Sequence, residues 1–157
     1  MNKNLERAKE IISQNKFMTI STASLGGRPW VSPVFFVPDD KYNLYWVSNK
    51  EAKHSKLIAK NPQVAIVIFD SSVSDGSYGV YFEAEAAEIF EEADIKNAIE
   101  IYNSRPQKDE FVIKSIRDVV GGAVWRIYRA LPKKTYVLGD GQYINGQYVD
   151  VRTEVKF

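Results

Sequence analysis

A chain of 157 residues, 45% hydrophobic and 26% charged, has the size of one globular domain with its own core, and a single domain over 1–157 is expected. Its 21 Lys and Arg balance 20 Asp and Glu, leaving no excess of positive charge to draw a nucleic acid or an acidic membrane surface. With no cysteine and one histidine, His54, the chain excludes a thiol nucleophile, a disulfide framework, thiolate-held metal centres and any site needing two imidazoles from one copy. The opening MNKNLERAKEIISQNK lacks the basic-then-apolar pattern of a secretory signal, and no apolar run approaches the roughly 20 residues of a spanning helix. A cytoplasmic protein is expected, without membrane or nucleic-acid partners.

Leu5, Ala8, Ile11 and Ile12 recur at helical spacing, which predicts an amphipathic helix over 4–14 with Asn4 available as its cap. β-branched and aromatic residues then predict three strands in a meander, FMTISTAS, PWVSPVFFV and LYWVS, separated by the turns LGGR and PDDKYN. A short helix is predicted over 51–60, stopped by Asn61-Pro62, followed by the apolar strand QVAIVIF. Residues 70–77, DSSVSDGS, are the most loop-like stretch. Over 78–90, Val80, Phe82, Ala84 and Ala86 alternate with Tyr81, Glu83 and Glu85, a long strand with one wetter face. Two helices are predicted next, one through Ala93, Ile95, Ala98, Ile99 and Tyr102, the other through Phe111, Val112, Ile113 and Ile116 up to Gly121-Gly122. The tail reads as strands AVWRIYRAL, KTYVL and QYVDVRTEV, with Asp140-Gly141 and Asn145-Gly146 as turns. Some seven strands joined mostly by short turns predict a mainly β, α+β antiparallel barrel, with a sandwich left open because periodicity does not tell whether a sheet closes.

The densest polar constellation is SNKEAKHSK, at the junction of the third strand and the short helix. A helix start with Lys53, His54 and Lys56 has the chemistry of an anion site, and it reads equally as an exposed helix start capped by Ser48 or Asn49. His54 is the one conventional general base near neutrality, but no G-x-S-x-G turn accompanies it and no ligand spacing supports a metal. The glycine pairs form neither a dinucleotide fingerprint nor a Walker loop and read as turns. Glu83 and Glu85 read as a solvated face.

The succession FMTISTASLGGRPWVSPVFFVPDDKYNLYWVSNKEAKHSKLIAKNPQVAIVIF, continued by VYFEAEAAEI, resembles the flavin-binding split-barrel superfamily of pyridoxamine 5′-phosphate oxidases and the general stress protein 26 group. The resemblance runs from about 17 to 89, carried by G-R-P opening the second strand, W-V-S-N ending the third, the basic helix start and N-P-x-V. It implies a six-stranded antiparallel split barrel with flanking helices, a homodimer, and FMN in clefts at the subunit interface. Laid over the oxidase pattern, Lys53 and His54 fall on the basic pair that holds the FMN phosphate, and Ser48, preceded by Val47, falls on a Thr near the flavin. Ser32, Pro33, Val34 and Phe35 fall on the strand whose backbone lines the isoalloxazine edge, where Pro33 has no N–H to give. The chain departs from the oxidases at Ser32 and Val37, where they carry basic residues, and in TYVLGDGQYINGQYVDVR, which lacks their substrate-holding Arg and His. The resemblance therefore implies an FMN-dependent oxidoreductase acting on another small molecule, with no catalytic side chain and no metal. A non-enzymatic module for flavin, haem or deazaflavin is the alternative.

Overall fold

In the computed structural model, residues 2–70, 79–138 and 141–157 are described; most of the loop-like stretch at 70–77, with Tyr78, Gly139 and Asp140, lies outside them. The first helix, α1 (Lys3–Gln14), buries Ala8, Ile11 and Ile12 as its spacing predicts. Its cap is Asn2 instead of Asn4: the Asn2 side chain accepts from the backbone N–H of Asn4 and Leu5, so Asn4 lies inside the first turn.

The strands that follow are β1 (Phe17–Ala23), β2 (Pro29–Phe35), β3 (Val37–Pro38) and β4 (Leu44–Asn49). After α2 (Lys53–Ile58) come β5 (Gln63–Phe69), β6 (Gly79–Glu88), α3 (Glu92–Ser104) and β7 (Trp125–Leu138). The tail adds β8 (Gln142–Ile144), β9 (Gln147–Val149) and β10 (Arg152–Val155). One eight-stranded antiparallel sheet runs β2-β1-β5-β6-β7-β4-β3, with β10 on the far half of β7. PWVSPVFFV is one stretch of chain that changes partner at Phe36. As β2 it pairs with β1, and as β3 it pairs with β4. The two ends of the sheet are thus the same bent strand, which curls the sheet into a barrel of six strands, counting β2 and β3 together and setting β10 apart. β2 and β4 approach one another, but no hydrogen-bonded ladder joins them, and the barrel stays split along that line.

Alternation sorts the residues of every strand. Inward positions such as Met18, Ile20, Val34, Trp46, Ile66 and Phe82 form the barrel core, closed at one side by α1. Outward positions on β3, β4 and the first half of β7 meet α3 in a second core that includes Tyr45, Ile95, Tyr102 and Ile127. Apart from Phe35, which meets α3, the outward face of β1, β2 and β5 has no such cover among the described residues, and its four outward positions on each of three strands carry no charged residue.

Three predicted elements differ. The helix expected through 111–116 is two 3-10 turns, Asp109–Phe111 and Ile116–Asp118. Here the backbone groups are taken by side chains: Asn103 bonds both the N–H and the C=O of Ile113, and Ser115 and Asp118 form a capping box. The strands predicted at AVWRIYRAL and KTYVL are one 14-residue strand, because Pro132 sits at a bulge opposite Glu83 and Ala84 where its missing N–H costs no regular ladder bond. Conversely QYVDVRTEV breaks at Asp150 and Val151 into β9 and β10, which pair with different strands.

Candidate functional site

The split between β2 and β4 gathers the residues singled out in the sequence. Val37 pairs with Tyr45, and continuing that register brings Phe35 level with Val47 and Val34 level with Ser48. Alternation then divides the four. Val34 and Ser48 turn inward and are 7% and 6% exposed, whereas Phe35 and Val47 turn outward into the second core. Phe35 is wedged edge-to-face between Phe17 and Tyr102, with ring centroids at 6.0 and 5.7 Å. Ser32 and Pro33 lie further along β2, Pro33 exposed and Ser32 half-buried.

Backbone decides what this seam can hold. Among the described residues, the edge of β2 away from β1 and the edge of β4 beyond Tyr45 have no strand beside them, so their N–H and C=O groups need water or a ligand. Proline at 29 and 33 thins the donors on the β2 edge, so Pro33 itself offers only its carbonyl.

The short helix α2 stands at one end of the seam, against β1 and β2. It is six residues long, its cap residue Ala52 has no side-chain bond to give, and attraction for an anion must come from side chains more than from a helix end. Asn49 shapes the turn that leads into it, accepting from Glu51 N–H at 2.8 Å through its side chain and from Ser55 Oγ at 2.9 Å through its carbonyl. Lys53 and His54 do not converge. The Lys53 ammonium lies 3.8 Å from the centre of the Trp30 ring, and among the described residues no carboxylate pairs with it. Trp30 is held in turn by its indole N–H donating to Ser32 Oγ at 3.1 Å. His54 turns the other way, its Nε2 2.8 Å from Ser48 Oγ. Burial lowers the His54 pKa from its ordinary value, so the ring is neutral at pH 7 and offers one N–H without charge. Lys56 is spent on Glu51 at 2.8 Å.

Behind Ser48 lies a polar cluster that composition did not single out. Arg126, opposite Ser48 on β7, meets Glu88 at 3.1 Å with the two side chains 11% and 22% exposed. Its guanidinium also donates to the carbonyls of Gly121, Ala123 and Trp125, fixing the Gly121-Gly122 turn. Burial raises the Glu88 pKa while Arg126 opposes the shift. A signal for it existed: Glu88 is the next inward position after Val80, Phe82, Ala84 and Ala86, so alternation alone places a carboxylate inside. The Glu83 and Glu85 pair is the solvated face expected, Glu85 bonded to Lys133 and Gln63 and Glu83 to the Tyr136 hydroxyl. Two open clefts lie elsewhere, one of about 290 Å³ beside Lys9 and Asp39 and one of about 360 Å³ beside Gln63 and Lys133. Their polar side chains are largely engaged by neighbours, Lys9 by Glu6, Asp39 by Asn43, and Gln63 and Lys133 by Glu85, whereas the unpaired backbone lies along the seam.

The family model described as pyridoxamine 5′-phosphate oxidase matches residues 5–124, which span α1, the seam and α3. The chain belongs to the pyridoxamine 5′-phosphate oxidase family. Several solved structures share its fold at low identity. HutZ, the heme storage protein from Vibrio cholerae, is 21% identical with a TM-score of 0.66, over 82% of this chain and 90% of that one. A heme binding protein from Mycobacterium smegmatis is 16% identical with a TM-score of 0.69, over 97% of this chain and 59% of that one. The Agrobacterium tumefaciens protein Atu2129, of unknown function, is 12% identical with a TM-score of 0.70, over 93% and 60%. A comparison with curated proteins finds no match. Among the described residues, no helix of this family member is long and apolar enough to cross a membrane.

Proposed function

We propose that this chain is an FMN-binding, homodimeric oxidoreductase of the family, with the flavin held along the seam between β2 and β4 and a small molecule other than pyridoxamine phosphate as substrate. The observation that supports the reading is the pair of strand edges, unpaired among the described residues, that face each other beside Lys53, a cation with no carboxylate partner among those residues. A planar, hydrogen-bonding ring suits two rows of backbone donors and acceptors, and a phosphate suits the Lys53 ammonium, with the bonded pair of His54 and Ser48 keeping one donor between them for it once the His54 ring turns toward Lys53. Bound FMN would supply the electron transfer, while the chain binds and orients it and keeps the inner side of the seam dry through Val34. No side chain of the chain is needed as acid or base.

The dimer rests on the uncharged outward face of β1, β2 and β5. Phe17 and Val31 are 61% and 55% exposed there. A surface without charge can meet its own copy without like charges opposing each other, as a two-fold contact requires.

The test is an absorbance spectrum and flavin titration of purified protein. Flavin binding should weaken about tenfold or more when Lys53 and His54 are both replaced by Ala, the loss of one charge-assisted and one neutral bond, with the fold unchanged by circular dichroism. Unchanged affinity would sink the phosphate assignment. A haem band that disappears in His54→Ala would replace the flavin reading with the binding-module one, and would require the His54 ring to leave Ser48.

A further inference from the structure

Residues 141–149 take no part in the seam. β7 and β10 form a ribbon whose last pair is Leu138 with Arg152, and residues 141–149 continue past it as β8 and β9, which pair with each other and not with the main sheet. All six residues of these two strands are exposed, Tyr143 to 77%, Tyr148 to 61% and Ile144 to 51%. A two-stranded hairpin with nothing packed beneath it is marginal in water. This one is nevertheless specified locally. Asn145 and Gly146 have φ of 51° and 80°, the positive values that a tight type I′ turn demands. Tyr143 and Tyr148 pack edge-to-face with ring centroids 5.5 Å apart. Tyr148 lies directly on the backbone of Gly141, where any Cβ would collide with its ring. From Gly141 to Val149 no residue is charged.

A preordered, uncharged arm bearing two tyrosines has the chemistry of a contact element, since rigid aromatic rings present area at little conformational cost. A matching surface exists on the same molecule. Phe17 pairs with Phe35, and the β1–β5 register continued by two residues puts Phe69 on the other side of Phe17. This phenylalanine row crosses the uncharged sheet face at the end from which the arm leaves, because Phe69 pairs with Gly79 and Val80 with Val137, one residue before Leu138. The arm of the same copy does not cover it: Phe17 and Phe69 remain 61% and 49% exposed.

We propose that the arm at 141–149 of each copy lies across the phenylalanine row of a second copy, and that this reciprocal exchange completes the dimer; the inference rests on the homodimer reading above. Neither surface brings a charge to be buried unpaired, and the exchange closes under a two-fold axis. Two tyrosines burying about 150–250 Å² each make two arms worth on the order of 600–1,000 Å², against roughly 1,600 Å² for a standard interface, the remainder coming from the sheet faces.

The chain has no cysteine, so engineered thiols report without background. Tyr148→Cys protein is mixed under oxidising conditions with Phe17→Cys, Val31→Cys or Phe69→Cys protein, while sedimentation compares wild type with the Tyr143→Ser, Tyr148→Ser double variant. The expected result is a disulfide between two chains for at least one mixture and a dimer dissociation constant raised about tenfold or more in the double variant. A wild-type dimer whose association is unchanged in the double variant and which gives no mixed disulfide overturns the arm exchange and leaves the dimer standing. A same-chain disulfide in the Tyr148→Cys, Phe69→Cys variant of a protein that fails to cross-link between chains overturns it in favour of the arm folding onto its own copy. A monomeric wild type overturns both readings.

Discussion

Replacing Arg105 by Met would remove the clamp that holds α1 to the point where the bent strand changes partner. The Arg105 guanidinium donates to the carbonyls of Asn15, Phe36 and Ile12 at 2.8, 2.9 and 3.1 Å, and it lies 4.8 Å from the Phe36 ring centre. Ile12 and Asn15 are at the end of α1, whose last carbonyls have no intrahelical partner. Counting about 1 kcal/mol for each bond in this half-buried setting, and about 0.5–1 kcal/mol for the cation on the ring, the loss is about 3–4 kcal/mol. For a chain of this size about 2–4 °C accompanies each kcal/mol, so thermal unfolding followed by circular dichroism should move down by about 10 °C. Arg105→Lys should recover less than half, because an ammonium cannot reach three carbonyls set in different directions. A fall below about 2 °C for Arg105→Met would refute the claim that the guanidinium joins these elements.

His54 carries the pH dependence. Its folded pKa lies below the unfolded value because burial disfavours the imidazolium. The unfolded chain therefore binds more protons between the two values, so the stabilisation is fully present above about pH 6.5 and is lost as pH falls through the lower folded value. Glu88, raised by burial, gives the opposite slope in its own window above the unfolded carboxylate value, so the difference between wild type and His54→Gln isolates the imidazole. Urea midpoints between pH 5 and 8 should show a steeper acid-side decline in wild type, and parallel curves would contradict the burial of the ring. Val31→Lys, at a position 55% exposed in the single chain, should leave monomer stability within about 0.5 kcal/mol and weaken self-association about tenfold or more. Sedimentation equilibrium reads this directly, and a variant that dimerises like wild type removes the β1–β2–β5 face from the interface.

Much of this architecture was legible because alternation survives folding. The inward set of β6 at Val80, Phe82, Ala84 and Ala86 is buried as read, and the Asn145-Gly146 signal is a hairpin turn. The change of partner at Phe36 was not legible, since PWVSPVFFV shows no break in apolar character where its hydrogen bonds pass from β1 to β4. The helix expected near Phe111 failed for a reason periodicity does not weigh: its backbone groups had better partners in Asn103, Ser115 and Asp118. At the site, the order of Ser48, Lys53 and His54 along the chain was readable, while their directions were not. Whether adjacent side chains share a target depends on the roll of α2 about its axis, which leaves Lys53 on Trp30 and His54 on Ser48.

Because one bent strand supplies both ends of the barrel sheet, the seam is a wedge with its vertex at Phe36. A small rotation of β2 about that vertex leaves Val37 and Tyr45 paired and displaces the end at Pro29 and Trp30 most, since displacement grows with distance from the pivot. Width is thus adjustable at the Trp30 and Lys53 end, with β1 carried along by its ladder to β2 while β3 and β4 keep their register. Were the seam to hold a ring as proposed, a change in ring size would be absorbed as an angle, and substitutions at the vertex, in Phe36 or its Arg105 clamp, should retune which molecules fit.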